Sequence, residues 1–338
     1  MLILAGSFCA LATVMHLAST VIVIARHRKR PAAAAPLRQV QGVSIVRPVC
    51  GIENFSHATL ASGFQLDYPD YEIIFCVAHA DDPVVALLQR LITANQSVPA
   101  RLLVGNEQIS TNPKLNNTVK GWEAARHEWI VMADSNVLMP RDYIHRLFAS
   151  WRADTGLVAS PPIGSQPRGF WAEVECAFLN TYQARWQYMV DSFGRGFAQG
   201  KTMLWRRAEL ERAGGIEALG SEVAEDAAAT KIVRSAGLKV RLVDRPLAQP
   251  LGHRSANEVG IDNCAGHDYG AQVFSSISCP RVSQAAYCQR SALQSWRTLS
   301  AGRHRSAQSA SPQSGTAARW CLLLRPAGAY RRFIRSMD

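Results

Sequence analysis

Three aspartates, Asp82, Asp134 and Asp226, each stand where an apolar run gives way to polar or small residues. Ile73-Ile74-Phe75-Cys76-Val77 leads into Asp81-Asp82-Pro83, and Trp129-Ile130-Val131-Met132-Ala133 leads into Asp134-Ser135-Asn136. Short apolar runs of this kind read as strands, and ligands of open α/β sheets gather beyond the carboxyl ends of strands. Carboxylates collected there suit two tasks, holding a metal-bound diphosphate and taking a proton from an attacking hydroxyl. Those two tasks are nearly all the chemistry that moving a sugar off a nucleotide requires.

Each position also has a plainer explanation. Asp82 before Pro83 is a common way to start a helix; the alternative is a carboxylate for the uridine or ribose of a nucleotide. Asp134-Ser135-Asn136 is a frequent turn tripeptide, yet the oxygens of Asp134 and Asn136 are the hard ligands that Mg²⁺ or Mn²⁺ takes while bridging two phosphates. Glu225-Asp226 opens an alanine-rich stretch, where acids favour a helix dipole. In the functional reading Asp226 is the general base that deprotonates an acceptor hydroxyl. Lys114-Leu115-Asn116-Asn117 either caps a loop or presents Lys114, Asn116 and Asn117 to a nucleotide. His79, His127, His145 and His253 lack H-x-x-x-H or H-E-x-x-H spacing and read as ordinary histidines.

Alternating strands and helices must position these groups. The pattern predicts strands over residues 43–46, 71–77, 101–104, 129–132, 157–160 and 238–243. Helices are predicted over 58–64, 83–94, 115–125, 142–151, 171–190 and 222–236. Such alternation argues for a parallel or mixed sheet with helices on both faces. Phe170-Trp171 with Phe178, Tyr182, Trp186 and Tyr188 has roughly helical spacing and reads as core, part of it facing lipid or an acceptor.

The 338 residues, 48% apolar and 19% charged, suffice for a sizeable core. A net charge of +11 suits an anionic membrane, a phosphorylated substrate or nucleic acid. The basic residues are scattered without a recognition motif, which argues against nucleic acid. Residues 1–25 carry no Asp, Glu, Lys or Arg, and the run stops at Arg26-His27-Arg28-Lys29-Arg30. That is long enough to cross a bilayer. The basic cluster follows the apolar run, unlike a cleaved signal peptide, and by the positive-inside rule it places the rest in the cytoplasm. A buried core helix is the plain alternative. The reading divides the chain into an anchor (1–25), a basic Pro/Ala linker (26–41), a catalytic domain (42–258) and an aberrant tail (259–338). The eight cysteines show no C-x-x-C pair and read as free thiols in a cytoplasmic domain.

Taken together the motifs resemble the ceramide glucosyltransferase family over residues 1–258. Besides the anchor, the matching blocks are Val43-Ser44-Ile45-Val46-Arg47-Pro48, Leu66-Asp67-Tyr68-Pro69-Asp70-Tyr71-Glu72, Asp81-Asp82-Pro83, Asn112-Pro113-Lys114-Leu115-Asn116-Asn117, Asp134-Ser135, Gly196-Phe197-Ala198-Gln199-Gly200 and Ala224-Glu225-Asp226. The resemblance implies an α/β fold of the GT-A type, a nucleotide-sugar-binding mixed sheet flanked by helices, here with an N-terminal transmembrane helix. It also implies inverting transfer of glucose from UDP-glucose to ceramide or a related membrane lipid, with Mg²⁺ or Mn²⁺, at the cytoplasmic face of the inner or cell membrane. Asp82, Asp134, Lys114, Asn116 and Asn117 fall to the donor, Asp134 and Asn136 to the metal, Gln199, Gly200 and Glu225 to the acceptor side, and Asp226 to the base. UDP-GlcNAc or UDP-galactose as donor, and a hopanoid or diacylglycerol as acceptor, stay open. So does a catalytically silent membrane protein that binds a nucleotide sugar or anionic lipid.

The family's Arg- or Gln-x-x-Arg-Trp motif is missing downstream of Asp226. Gln183-Ala184-Arg185-Trp186 precedes that residue, and Ala317-Ala318-Arg319-Trp320 comes too late and lacks the leading residue. Beyond Val259 periodicity is lost, and the stretch 291–318 is rich in Ser, Gln, Ala and Arg, a composition that reads as disordered. Back-translation of residues 259–270 from the last base of the Val259 codon permits W-H-R-Q-L-R-W-A-R-L-R-R, which restores the motif. The expectation is a frameshift near Val259 and little turnover by this polypeptide; an undisturbed reading frame in the gene at that point would dismiss it.

Overall fold

The structure is a computed structural model that describes residues 2–28, 41–256 and 258–259. Its centre is a seven-stranded mixed sheet in the order β3-β2-β1-β4-β7-β5-β8. β1 (Val43–Val49) lies parallel to β2 (Tyr71–Val77) and β4 (Trp129–Ala133), and β2 lies parallel to β3 (Ala100–Val104). β7 (Thr202–Arg206) inserts antiparallel between β4 and β5 (Thr155–Ala159), and β5 pairs parallel with β8 (Lys239–Leu242). β6 (Pro162–Arg168) and β9 (Leu247–His253) form a separate two-stranded parallel ribbon.

The sequence dictates the layering. β1 and β2 are buried along their whole length, as parallel strands covered on both faces must be. Successive residues then serve opposite layers. Ile45, Ile73 and Val131 pack with Leu88 of α3 (Val84–Ala94) and Tyr143 and Leu147 of α5 (Tyr143–Ala149). Val46, Ile74 and Met132 pack with Leu115 and Trp122 of α4 (Pro113–Ala124) and Ala229 of α9 (Glu225–Ser235). The mixed sheet flanked by helices is the α/β architecture expected from the alternation.

Helix α4 lies close over β1 and β2 because Gly121 has no side chain. A Cβ there would stand 2.5 Å from both Cys76 Sγ and Val46 Cγ1. Gly121→Ala is therefore expected to destabilise the fold by about 1–3 kcal/mol through overpacking. An unchanged urea midpoint would show that the helix can back away without loss.

Several boundaries differ from the expectation. Helix α1, the expected anchor, runs from Leu2 to Arg28, past the expected stop at residue 25. Arg26 belongs to this helix and docks on the domain instead of lying in a linker. The remaining helices are α2 (Ser56–Ser62), a segment α6 (Phe170–Ala177) and α7 (Ala184–Ser192) joined by a π-helical turn over Phe178–Gln183, and the short α8 (Arg207–Glu211). The expected single helix over 171–190 is thus continuous but interrupted by the π-turn. Helix α9 begins at Glu225, not at 222, because Ile216–Ser221 forms its own 3₁₀ turn. The tail beyond Val259 lies outside the described residues.

Candidate active site

The carboxyl ends of β1, β2 and β4 open onto a cleft of about 970 Å³. Asp134, one residue past β4, faces it. Two chain segments reach Asp134 from opposite directions. Asn112 caps α4 by accepting hydrogen bonds from the amides of Lys114 (3.0 Å) and Leu115 (3.2 Å), which places Lys114 in the first turn. β7 enters antiparallel with Thr202 opposite Ala133, so Lys201 falls beside Asp134, and the Asp134 amide donates to the Lys201 carbonyl at 3.1 Å.

An ion-pair cluster results. Lys114 Nζ lies 2.5 Å from Asp134 Oδ1 and 2.6 Å from Glu225 Oε1, and donates to the Gly200 carbonyl at 2.8 Å. Lys201 Nζ lies 3.1 Å from the other Asp134 oxygen. Burial alone would raise the Asp134 pKa, but the two ammonium groups outweigh it and bring it down to about 2. Burial would likewise depress Lys114, yet the flanking Asp134 and Glu225 carboxylates push it above the ordinary lysine range. The pair is ionised at any physiological pH.

Asp226 is the opposite case. Burial first, and then the neighbouring Glu225 carboxylate, raise its pKa to about 6, against the Lys114 cation and a 3.0 Å hydrogen bond from the Gly200 amide. A carboxylate tuned toward neutrality in a cleft is suited to accept a proton. Gly200 serves both neighbours through its backbone. Its missing side chain matters too, since a Cβ would stand 2.6 Å from Glu225 Oε1 and 2.9 Å from Lys114 Nζ.

The structure gathers Lys114, Asp134, Asn136, Gln199, Gly200, Glu225 and Asp226 around one cleft. It places the other three expected donor residues differently. Asp82 accepts from the Val84 amide (2.9 Å) and the Gly51 amide (2.9 Å), so it starts α3 and ties down the turn after β1, and it is not part of the cleft wall. Asn116 is buried, with its amide engaged by Ile109 and Ser110 of the preceding loop. Asn117 touches the cleft, but its amide donates to the Cys76 carbonyl and accepts from Lys120 Nζ, bracing the end of β2. Both asparagines shape the site from behind.

Arg47, Lys201 and Arg254 were not among the expected site residues. Arg47 is wholly buried and donates to the carbonyls of Thr59, Asp134, Ser135 and Val137, fixing the turn that carries Asp134 and Asn136. A lone cation inside an apolar strand was its signal. Lys201 directly follows Gly200, and only the β4–β7 pairing reveals what it faces. Arg254 lines the cleft and pairs with the buried Glu175 at 3.2 Å.

Asp134 and Asn136 present hard oxygen ligands, one of them a carboxylate kept ionised, and this donor set fits a divalent cation. Among the described residues no three His, Cys, Asp or Glu form a cage, but Mg²⁺ is commonly held by one or two carboxylates together with substrate phosphates.

Comparison with solved structures bears on the fold that carries this arrangement. A mannosyltransferase from Pyrobaculum calidifontis, solved with GDP-Man and Mn²⁺, superposes with a TM-score of 0.51 at 14% identity, covering 87% of this chain and 95% of the other. The fold is that of the GT-A nucleotide-sugar glycosyltransferases. The sequence matches glycosyl transferase family 21 over residues 11–261, and the chain belongs to that family. Ceramide glucosyltransferase 1 of Caenorhabditis elegans is 28% identical over 255 residues, 73% of this chain and 53% of its own. The ceramide glucosyltransferase of Komagataella phaffii is 40% identical over 103 residues, 29% of this chain and 20% of its own. The chain spans about half the length of the first of these relatives and a fifth of the second.

Proposed function

We propose that the chain is a membrane-anchored glycosyltransferase that moves glucose from UDP-glucose to the primary hydroxyl of ceramide, or of a related membrane lipid, with inversion. The observation that carries this reading is the convergence of Lys114, Asp134, Glu225 and Asp226 on one cleft at the carboxyl ends of the parallel strands. Helix α1, long and apolar enough to cross a bilayer, with Arg26 and Arg28 at its end, would hold the cleft at a cytoplasmic membrane face.

In this mechanism the acceptor oxygen attacks the anomeric carbon from the side opposite the nucleotide. The new carbon–oxygen bond forms as the bond to the UDP oxygen breaks, and the hydroxyl proton passes to an Asp226 carboxylate oxygen. Ionised Asp226 is present above pH 6, so transfer is expected to fall off below that pH. Lys114 and Lys201 stand at the Asp134 carboxylate where they can turn toward the departing diphosphate. Mg²⁺ or Mn²⁺, held by Asp134 and Asn136, would neutralise further charge on that leaving group.

The test is incubation of the full chain in vesicles with labelled UDP-glucose, Mg²⁺ and ceramide. Labelled glucosylceramide is expected only at the low level that the missing motif allows, and chelation with EDTA is expected to reduce its formation at least tenfold. Product formation indifferent to EDTA would remove the metal. UDP-glucose binding without any transfer would favour the second reading, a silent nucleotide-sugar-binding membrane protein. One observation supports that reading: no Arg- or Gln-x-x-Arg-Trp motif follows Asp226 at the family spacing. Other nucleotide sugars, and diacylglycerol or hopanoid acceptors, are the remaining arms of the same assay.

A further inference from the structure

Helix α1 meets the folded domain along only part of its length. Ser19 is fully buried, Val23 packs into one core layer, and Arg26 pairs with Asp191 at 2.5 Å while donating to the Leu242 carbonyl at 3.1 Å. The polar and ring contacts with the domain begin at His16, which touches Arg185 and Trp186 of α7. Ahead of it Ile3, Leu4, Phe8, Leu11 and Val14 are all exposed.

Composition then decides where a bilayer can lie. The apolar run of α1 does not stop where the helix meets the domain. Alongside α7 its outer face still exposes Leu17, Val21 and Ile24, and no charged side chain comes before Arg26. A span leaves the hydrocarbon near its first charges. The leaflet therefore extends down beside the contact between α1 and α7.

The surface found at that level suits it. Phe178 stacks on Tyr182 with centroids 5.1 Å apart, Tyr182 meets Trp186 at 6.5 Å, and Trp186 meets His16 at 6.0 Å. This row runs from the middle of the span helix to the cleft, whose wall includes Phe178 and Leu179. Phe170, 67% exposed, and Trp171, 44% exposed, stand on the same helical segment. Aromatic rings favour the membrane–water boundary, and interfacial helices bury about 5–10 Å into it. Arg185, bonded to His16 and Thr20, has a stem long enough to bring its charge to lipid headgroups.

We infer that the helical segment formed by α6, the π-turn and α7 is immersed in the leaflet beside α1, with membrane lipid as the occupant of its aromatic face. A lipid lying along the row enters the cleft past Phe178 and Leu179; that last step rests on the transferase reading.

The test uses the full chain in vesicles of tritiated phosphatidylcholine, with p-benzoylphenylalanine replacing one residue at a time: Phe170, Tyr182, Val14 in the span, and the exposed Arg90 of α3, which packs on the opposite layer of the sheet. After irradiation, lipid label at positions 170 and 182 is expected to approach that at 14 and to exceed that at 90 at least fivefold. Labelling at 170 and 182 no higher than at 90, while 14 labels well, would overturn the inference, as would equal labelling at all four. Two positions of exposed rings are used so that the result does not hang on one replacement. Cross-linking needs neither donor nor turnover, so a negative result leaves the transferase reading standing, and a chain that cross-links but never transfers does the reverse.

Discussion

Asp226→Asn is expected to abolish whatever glucosyl transfer the chain supports, a loss of about 10²–10⁴-fold for a general base, while making the protein more stable at pH 8. The folded-state pKa of Asp226 is raised from 3.8 to about 6 by burial and by Glu225. A raised carboxyl pKa means that the native state holds the proton more tightly than the unfolded chain. This contribution is fully present below about pH 4 and is lost as pH rises through 6. Above that, the fold carries a buried, like-charged carboxylate at a cost of about 2–3 kcal/mol. Asparagine removes that cost and can still accept from the Gly200 amide. Urea midpoints at pH 4 and pH 8 check this: the variant should gain on the parent only at the higher pH, with UDP-glucose affinity largely kept. A gain of equal size at both pH values would show that ionisation of Asp226 is not its source. Asp134 should show the opposite trend, its stabilising ion pairs persisting until the pH falls toward 2.

Arg47→Met is expected to be the most destabilising substitution around the cleft. It strips a fully buried guanidinium from four backbone carbonyls, at 2.8–3.1 Å. Burial lowers the Arg47 pKa only to about 10, so the group remains a cation at neutral pH. Leaving buried acceptors without partners costs about 3–5 kcal/mol in total, or roughly a 10 °C fall in melting temperature for a domain of this size. Lysine should rescue little, because one ammonium cannot reproduce the planar fork that reaches Thr59 on one side and the Asp134 turn on the other. UDP-glucose binding should weaken with the turn. A variant that melts like the parent, or binds UDP-glucose equally well, would remove Arg47 as its support.

How far the sequence showed all this depends on where each signal resides. β2 was read to the residue, because a parallel strand covered on both faces is a near-continuous apolar run, here broken only by Glu72. β6 and β9 were missed: Pro162–Arg168 and Leu247–His253 carry proline and glycine, show no alternation, and are strands only because each pairs with the other. The interruption over Phe178–Gln183 was invisible because a π-turn shifts the apolar spacing by a single residue. Within the cleft, Asp134, Lys114 and Asp226 were legible because local sequence marks strand ends and helix starts. Asp82 and Asn116 were not, since the same local marks fit a cap or a loop brace equally well, and the structure uses them so. Lys201 needed the register of two strands far apart in the chain.

The Arg26 contact has a mechanical meaning. With its guanidinium joined to Asp191 and to the end of β8, and lying 4.8 Å over the Tyr188 ring, the helix is a rigid handle and not a leash. As the proposed membrane span, it would keep the domain from swivelling freely and hold the cleft in one attitude to the bilayer. The hunt for a partner molecule would then become a search in two dimensions with the orientation already settled.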